Sequence, residues 1–470
     1  MALSSALFSG ISGLGTLGNA MQIIGDNISN VNTVGFKSSQ FTFQDLLSQS
    51  VATLAGTSQI GRGTALGDIY ASFEQGSFET TGNTTDLAIG GEGFFVLRED
   101  AGEGLYYSRA GNFRFDKDGY LTNPEGYIAQ GWQLDSEGDD VGSVTDISMS
   151  SFTSPPQESQ KVEIIVNLDS EGDDNSSGAD DSLSDEWNGI LATPLDDNAY
   201  EYQTTLKIYD SLGSTHDVSI YFDKADTDSA YEFIVTCNPS EDKRAGASGE
   251  TWAGLLGRGV IHFTPGSGVI SNIDMWQINP ATGASVAQAE ATDLTDGFFT
   301  FSPDYLSGSP MNIGLDFGSR YDGTAWVNDS LSTTQFARSS TTTYQSSDGY
   351  GAGDLQDINV DVDGIITGSY SNGQLIPLYR VALAKFQNNL GLLKEGGNLY
   401  TETRTSGAAT TNRPGTNGLG SLAPNSLEQS NVDIANEFVR MITTQRGFQA
   451  NSKVITVTDQ MLSELINLKR

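Results

Sequence analysis

Apolar residues recur at alternating steps of four and three along both ends of the chain. At the N-terminal end the positions are Leu3, Leu7, Gly10, Leu14, Leu17, Met21, Ile24, Ile28 and Val31, and eight of the nine are apolar. At the C-terminal end they are Ile434, Phe438, Met441, Gln445, Phe448, Ser452, Ile455, Asp459, Leu462 and Ile466, and seven of the ten are apolar. Steps of three and four keep side chains on one face of a helix, so the pattern predicts a helix with a heptad seam at each end. No Pro interrupts either segment, and Ser430, three residues before Asp433, predicts a capped start for the second helix. Seams like these also occur on helices that merely cover a globular core. The first segment, however, holds Gly10, Gly13, Gly15, Gly18 and Gly25. Each glycine costs an isolated helix about 1 kcal/mol, yet lets a neighbouring helix approach closely. Both ends are therefore expected to be poorly ordered in an isolated chain and helical when packed against neighbours.

Between the ends the period changes from helical to two. Residues 86–97 (DLAIGGEGFFVL) hold two short apolar runs split by glycines. Phe113 and Phe115 alternate with Arg114 before an Asp118-Gly119 turn, and residues 358–370 repeat the pattern around Asp363-Gly364; both predict hairpins. Further strands are predicted at 162–168, 204–209, 217–222, 231–236 and 379–386. Residues 32–71 are polar and Gly-rich with scattered Phe36, Phe41 and Phe43, and are expected to form an extended connector. Residues 170–187 are acidic and rich in Ser and Gly, and are expected to be a solvated loop.

Charge sharpens this division. The 470 residues carry 24 basic and 60 acidic groups, a net of −36. Residues 1–70 hold Lys37 and Arg62 against Asp26, Asp45 and Asp68, a net of −1. Residues 431–470 hold five basic and four acidic groups, a net of +1, whereas residues 150–345 hold 30 acidic and 8 basic, a net of −22. Neutral ends suit dense packing, and an acidic middle suits water. So acidic a chain repels phosphate, which argues against nucleic acid and anionic lipid as partners. No apolar run reaches the ~18 residues of a membrane span, so no membrane insertion is expected. The start MALSSALFSG lacks a basic region and an unbroken apolar core, so no cleaved signal peptide is expected.

Candidate chemistry is sparse. Gly13 to Gly18 matches G-x-G-x-x-G, but a dinucleotide site needs a preceding strand, and the residues before it belong to the helix. Asp116-Lys117-Asp118-Gly119 and Asp361-Val362-Asp363-Gly364 resemble part of a calcium loop. The first has Arg114 where a ligand should stand, and the second has Tyr370 at the closing carboxylate, so hairpin turns explain both better. One cysteine, Cys237, and two histidines, His216 and His262, cannot supply a Cys/His zinc site. No G-x-S-x-G elbow is present. Nothing assembles into an active site, and neither enzyme activity, a cofactor nor a metal is expected.

The opening residues, with ISGL at 11–14 and GDNISNVNTVGFK at 25–37, resemble the N-terminal signature of the flagellar rod and hook (axial) proteins. Residues 86–97, residues 107–132 (YSRAGNFRFDKDGYLTNPEGYIAQGW) and the C-terminal stretch from Leu427 are similar to the same family's inner β domain and C-terminal helix. Residues 205–222 (TLKIYDSLGSTHDVSIYF) resemble a motif in the outer domain of hook subunits. The resemblance implies a mainly β, multidomain chain with β-rich inner and outer domains, and terminal α-helices that form a coiled-coil-like inner domain. On it, residues 1–31 with 431–470 form the helical inner tube and 32–71 the connector. Residues 72–147 with 346–430 form the inner β domain, and 148–345 an inserted outer domain long enough for two subdomains. The large insertion favours a hook subunit, assembled into a flexible tube that acts as a universal joint between rod and filament. A distal rod subunit, or a secreted glycan-binding protein using Trp187, Trp252, Trp276 and Trp326, are the competing readings. The resemblance also implies partners: further copies of the chain, the distal rod protein, the hook cap, the hook–filament junction proteins and the flagellar type III export apparatus. Self-assembly would rest on Leu3, Leu7, Leu14, Leu17, Met21, Ile24, Ile28, Val31, Ile434, Phe438, Met441, Phe448, Ile455, Leu462 and Ile466.

Overall fold

A computed structural model describes residues 2–53, 56–100, 102, 104–135, 137–149, 152–176, 183–225, 229–289 and 292–467. Two long helices close the chain, α1 (Ala2–Ser29) and α2 (Ile434–Asn467), and the described remainder is strand, turn and one short 3-10 helix. The fold is therefore mainly β with a helix at each end. Helix α2 starts where Asp433 Oδ1 accepts the backbone N–H groups of Ala435 (2.8 Å) and Asn436 (3.3 Å). The cap is thus Asp433 rather than Ser430. Its carboxylate meets the free N–H groups and positive end of the helix directly, while Ser430 turns to Val432 N, a residue outside the helix.

The chain divides into two compact units. One comprises Met1–Phe152, Leu355–Tyr370 and Gln374–Arg470, the other Thr153–Asp354 with Ser371–Gly373. The insertion thus begins and ends a few residues later than 148–345, and the terminal helices belong to the same unit as the inner β domain.

Residues 32–71 fold into a long β arm rather than an extended connector. Ser39–Asp45 pairs antiparallel with Thr64–Ala71, setting Phe41 against Ile69 and Phe43 against Leu66. Beyond them Gln49–Thr53 pairs with Gly56–Ile60. The alternation Phe41, Phe43 was visible, but its cross-strand partners lie far along a polar sequence, where a period of two is hard to see.

The sheet of the first unit runs Ile365–Tyr370, Leu375–Val381, Tyr127–Leu134, Phe94–Glu99, Leu105–Ser108, Leu399–Thr401, Leu393–Gly396, all antiparallel. Phe94–Glu99 lies at its centre and is buried on both faces, which is why its sequence is a continuous apolar run. Phe95 and Leu97 join one cluster with Leu87, Ile89 and Phe113; Phe94 and Val96 join another with Tyr107, Phe386 and Tyr400. The predicted strand 379–386 is split into Leu375–Val381 and Leu383–Lys385, because the chain changes partners there, from Tyr127–Leu134 to Phe94–Glu99. Both Asp-Gly turns are present. Asp116 Oδ1 accepts the amides of Asp118 and Tyr120, and Asp361 Oδ1 those of Asp363 and Ile365.

The second unit packs two sheets face to face. Tyr202–Tyr209, Thr215–Lys224, Ala230–Cys237, Leu255–Phe263, Ile270–Ile278 and Ser285–Ala287 follow one another as an antiparallel meander. In the other sheet Lys161–Asp169 is central, flanked by Ile313–Asp316, Thr334–Phe336 and Thr341–Ser347. One continuous core joins them, with Ile164 and Val166 from the second sheet against Phe222, Phe233 and Ile273 from the first. The insertion is therefore one body rather than two subdomains. A sequence-length argument cannot see that both sheets share a single interior. Residues 177–182 of the expected solvated loop lie outside the described residues, but Leu183 and Trp187 just beyond them are buried in a second cluster with Ile234 and Leu255.

Candidate assembly surface

The two helices run antiparallel and touch where α1 is smallest. A Cβ on Gly10 would lie 3.0 Å from Ile455 Cγ1, one on Gly13 would lie 2.9 Å from Asn451 Nδ2, and one on Gly447 would lie 3.3 Å from Leu17 Cδ1. The inward side of α2 is carried by Glu437, Met441, Thr444, Gly447, Asn451, Ile455, Thr458 and Leu462, all buried or half-buried. That face mixes small and polar residues with Met441, Ile455 and Leu462. An adjoining flank of α1 rests on the β arm: Thr16 and Thr64 share a hydroxyl hydrogen bond of 3.1 Å, and Asn27 exchanges two bonds with the Ser39 backbone.

Other apolar residues of α2 face the other way. Ile434, Phe438 and Ile442 follow one another at steps of four on one face, and are 45%, 48% and 49% exposed. Phe448, Val454, Met461 and Ile466 are exposed as well, as are Phe8 and Ile11 on α1. Between the helices a groove of about 360 Å³ is lined by Leu17, Gly18, Met21, Gln445, Phe448 and Gln449. A Cβ added at Gly15, Gly18 or Gly25 would meet nothing within 4 Å, so these three glycines serve no close contact inside the chain.

Of the residues expected to carry assembly, Ile24 is buried and Leu7, Leu14, Leu17, Met21, Ile28, Met441, Ile455 and Leu462 are half-buried along the helix pair. Val31 is half-buried just past the end of α1. Ile434, Phe438, Phe448 and Ile466 lie open on the outer side. The Leu3 side chain lies outside the described residues. The heptad reading thus merged two faces of α2, the one toward α1 and the one turned away from it.

At the base of the helix pair is a buried ion cluster that the pattern of apolar residues did not disclose. Lys37 Nζ lies 2.7 Å from Glu428 Oε1, with both side chains fully buried, and donates to Glu74 O at 2.8 Å. Glu428 Oε1 also accepts the Gly76 amide at 2.9 Å, and Oε2 lies 3.5 Å from Arg109 Nη1. Arg109 Nη2 donates to Gly91 O at 2.8 Å. Burial pushes the Lys37 and Arg109 pKa values down, against the opposing pull of Glu428. Gly35 closes the site: its amide donates to Glu428 O at 2.7 Å, its φ is +70°, and a Cβ there would fall 2.6 Å from Ala110 N. Asn431 ties the remaining strands, accepting from Ser38 N and donating to Ser72 O and Glu74 O.

Comparison with known proteins agrees along the whole length. Residues 7–37 match the model for flagella basal body rod proteins, 88–167 the flagellar hook protein FlgE/F/G D1 domain, 167–350 the flagellar basal body protein FlaE D2 domain, and 423–468 the C-terminal region of flagellar basal body rod FlgEFG proteins. The flagellar hook protein FlgE of Borreliella burgdorferi is 34% identical over 99% of both chains, and that of Escherichia coli 30% identical over 100% of both. The chain belongs to the flagellar hook protein family. Among solved structures, the Helicobacter pylori flagellar hook protein FlgE2 aligns over 75% of this chain and 100% of its own, with 15% identity and a TM-score of 0.47.

The hook-family segments meet in the geometry above. The rod-type match at 7–37 ends on Lys37, the D1 match contains Arg109, and the C-terminal match contains Glu428, so three separate signatures converge on one ion cluster. The sequence clue was available: Lys37 and Glu428 are charged residues inside otherwise polar or apolar motifs, with no nearby partner. The other candidates are structural. Gly13 to Gly18 lies inside α1, without a preceding strand. Cys237 is buried, and burial pushes its thiol up to about 12. His216 stacks on Tyr305 at 3.7 Å between Glu241 and Asp210. The Trp187 indole donates to Ala253 O and the Trp252 indole to Pro280 O, Trp326 packs on the core, and Trp276 lies beneath Arg258.

Proposed function

We propose that the chain is the structural subunit of the flagellar hook, and that it polymerises through the outward face of its helix pair. The observation that carries this is the direction of that face: Phe438 and Ile442 turn away from α1 and Phe448 lines the open groove beside it, while Thr444, Asn451 and Thr458 turn toward it. Full-length similarity to proteins named flagellar hook protein supports the same reading. Neighbouring copies would cover the exposed residues and the groove between the helices, building a firm inner tube. The second unit would form the outer layer. Its net charge over 150–345 is −22, and like charges oppose tight docking, so adjacent outer units can slide as the tube bends in rotation. Contacts with the distal rod, the cap and the hook–filament junction proteins, export through the type III apparatus, and an extracellular position at the hook belong to this reading. So does a purely structural, non-enzymatic role.

The test is growth on isolated hook fragments. Purified full-length chain is added to them beside a version lacking residues 1–31 and 431–470, and both are viewed by electron microscopy. Curved extensions from the full-length chain alone are expected. Straight, rigid tubes would instead favour a rod subunit, and equal growth from the trimmed chain would remove the helices from assembly.

A further inference from the structure

The ion cluster joins every chain segment that enters or leaves the helix pair. Lys37 and Gly35 lie just after α1, Gly76 and Glu74 just after the β arm, and Glu428 and Asn431 just before α2. Arg109 fastens the group to the inner sheet through Gly91. The contact between α1 and α2 mixes small and polar residues such as Gly10, Gly13, Thr444 and Asn451 with half-buried Leu17, Met441 and Ile455, so it is not a continuous apolar seam. The cluster adds a fixed, charged anchor at its base. A buried ion pair is a poor source of stability but a strict one: with one partner missing, the other is left charged and dry. The cluster is therefore close to all-or-none.

Its members are also far apart in sequence. Lys37 and Glu428 are separated by 391 residues, Arg109 and Glu428 by 319. Any process that delivers the chain from one end to the other presents Lys37 or Glu428 long before its partner. On the reading of the chain as a polymerising subunit, we propose that this cluster is a clasp whose closure makes the helix pair competent to join a neighbour. Before closure, α1 with its glycines and α2 with its exposed apolar side chains have no fixed relation, and the two-helix face that a neighbouring copy recognises does not exist. After closure that face is complete. The clasp thereby confines assembly to chains that have arrived whole, and it spends charge rather than apolar area because charge punishes partial closure.

The experiment uses the full chain in three forms: wild type, Glu428→Gln, and the double variant Lys37→Met/Glu428→Gln. The double variant removes the unpaired lysine, the one amide oxygen of the introduced Gln can still accept from Gly76, and Arg109 keeps its bond to Gly91 O. Two quantities are measured: amide exchange at Gly35 and Gly76, which report clasp closure, and the rate of growth on isolated hook ends. Unfolding followed by tryptophan fluorescence checks the second unit. Removing one partner of a buried pair is expected to raise exchange and slow growth in Glu428→Gln, each by about tenfold or more, with the second unit unchanged. The double variant, in which only Arg109 remains unpaired, is expected to regain part of both. A Glu428→Gln chain that loses protection at Gly76 yet grows at the wild-type rate would overturn the clasp alone. So would a double variant that regains protection but not growth. A wild-type chain that never extends hook ends would overturn the subunit reading and the clasp with it.

Discussion

The inserted unit encloses its large apolar residues, whereas the terminal helix pair leaves several in the open. In the insertion, aromatic and branched residues such as Phe222, Phe233 and Ile164 point inward between two sheets, and buried charge is paired, as in Arg244 with Asp242. In the helix pair, Thr, Asn and Gly share the inward side with Met441 and Ile455, while Phe438 and Ile442 are left outside. The first arrangement is complete within one chain. The second leaves apolar surface in the open, as interaction sites do. One polypeptide thus carries a closed body and an open one, and the open one is where we propose self-association.

The comparison breaks most readily in the core. Phe233→Ala should cost the insertion about 4 kcal/mol, as large-to-small changes of a buried aromatic do. Denaturant unfolding followed by tryptophan fluorescence would check it; a loss within about 0.5 kcal/mol, as for surface positions, would mean that this core is not the closed body described. Next is Asp242, which grips the buried Arg244 with both oxygens and accepts the Gly254 amide. Burial alone would raise its pKa, but the bonds from Arg244 and Gly254 hold it below the ordinary 3.8. A depressed carboxylate stabilises the fold above its unfolded pKa and loses that contribution as pH falls through the folded one. Asp242→Asn should therefore cost about 3 kcal/mol at pH 7, with the difference from wild type shrinking below pH 4. A gap that stays constant down to pH 2 would contradict the assigned role.

On the helix pair the expectation reverses. Phe438→Asp should leave unfolding of the monomer within about 0.5 kcal/mol of wild type. It should raise the concentration needed for growth on hook ends about thirtyfold, the equivalent of a 2 kcal/mol interface loss. Normal growth would show that this face does not assemble. Asp433→Ala should cost about 1 kcal/mol, the usual worth of a cap, visible as faster amide exchange at Ala435 and Asn436. The smallest effect is electrostatic. Raising salt from 0.01 M to 1 M shortens the screening length from about 30 Å to about 3 Å. Repulsion between acidic outer units should weaken and the tube become stiffer or more compact; unchanged bending stiffness would remove charge from the sliding mechanism.

Much of this was legible in the sequence, for physical reasons. The strands at 204–209 and 217–222 were readable because an alternating period survives wherever a strand is half-buried, and 231–236 because a strand buried on both faces is a short apolar run. The terminal helices were readable because a three-four step persists over many turns. The heptad could not say which α2 face meets α1, since Met441, Ile455 and Leu462 lie toward the partner while Phe438 and Ile466 lie away from it. Lys37, Arg109 and Glu428 escaped because a buried charge leaves no periodic trace, and its partners lie hundreds of residues away. The β arm was missed because Phe41 and Phe43 pair with Ile69 and Leu66 across a long polar stretch.

The solitary cysteine gives the molecule a built-in clock. Cys237 sits in the core of the insertion, on the strand Ala230–Cys237, with its thiol held protonated well above neutral pH. A thiol-directed reagent can reach it only when that strand opens, and a thiolate forms readily only in water. The rate of alkylation at neutral pH therefore times the opening of the insertion alone. The same reagent, applied to finished tubes and to free chains, reads directly how much assembly changes the opening of the insertion.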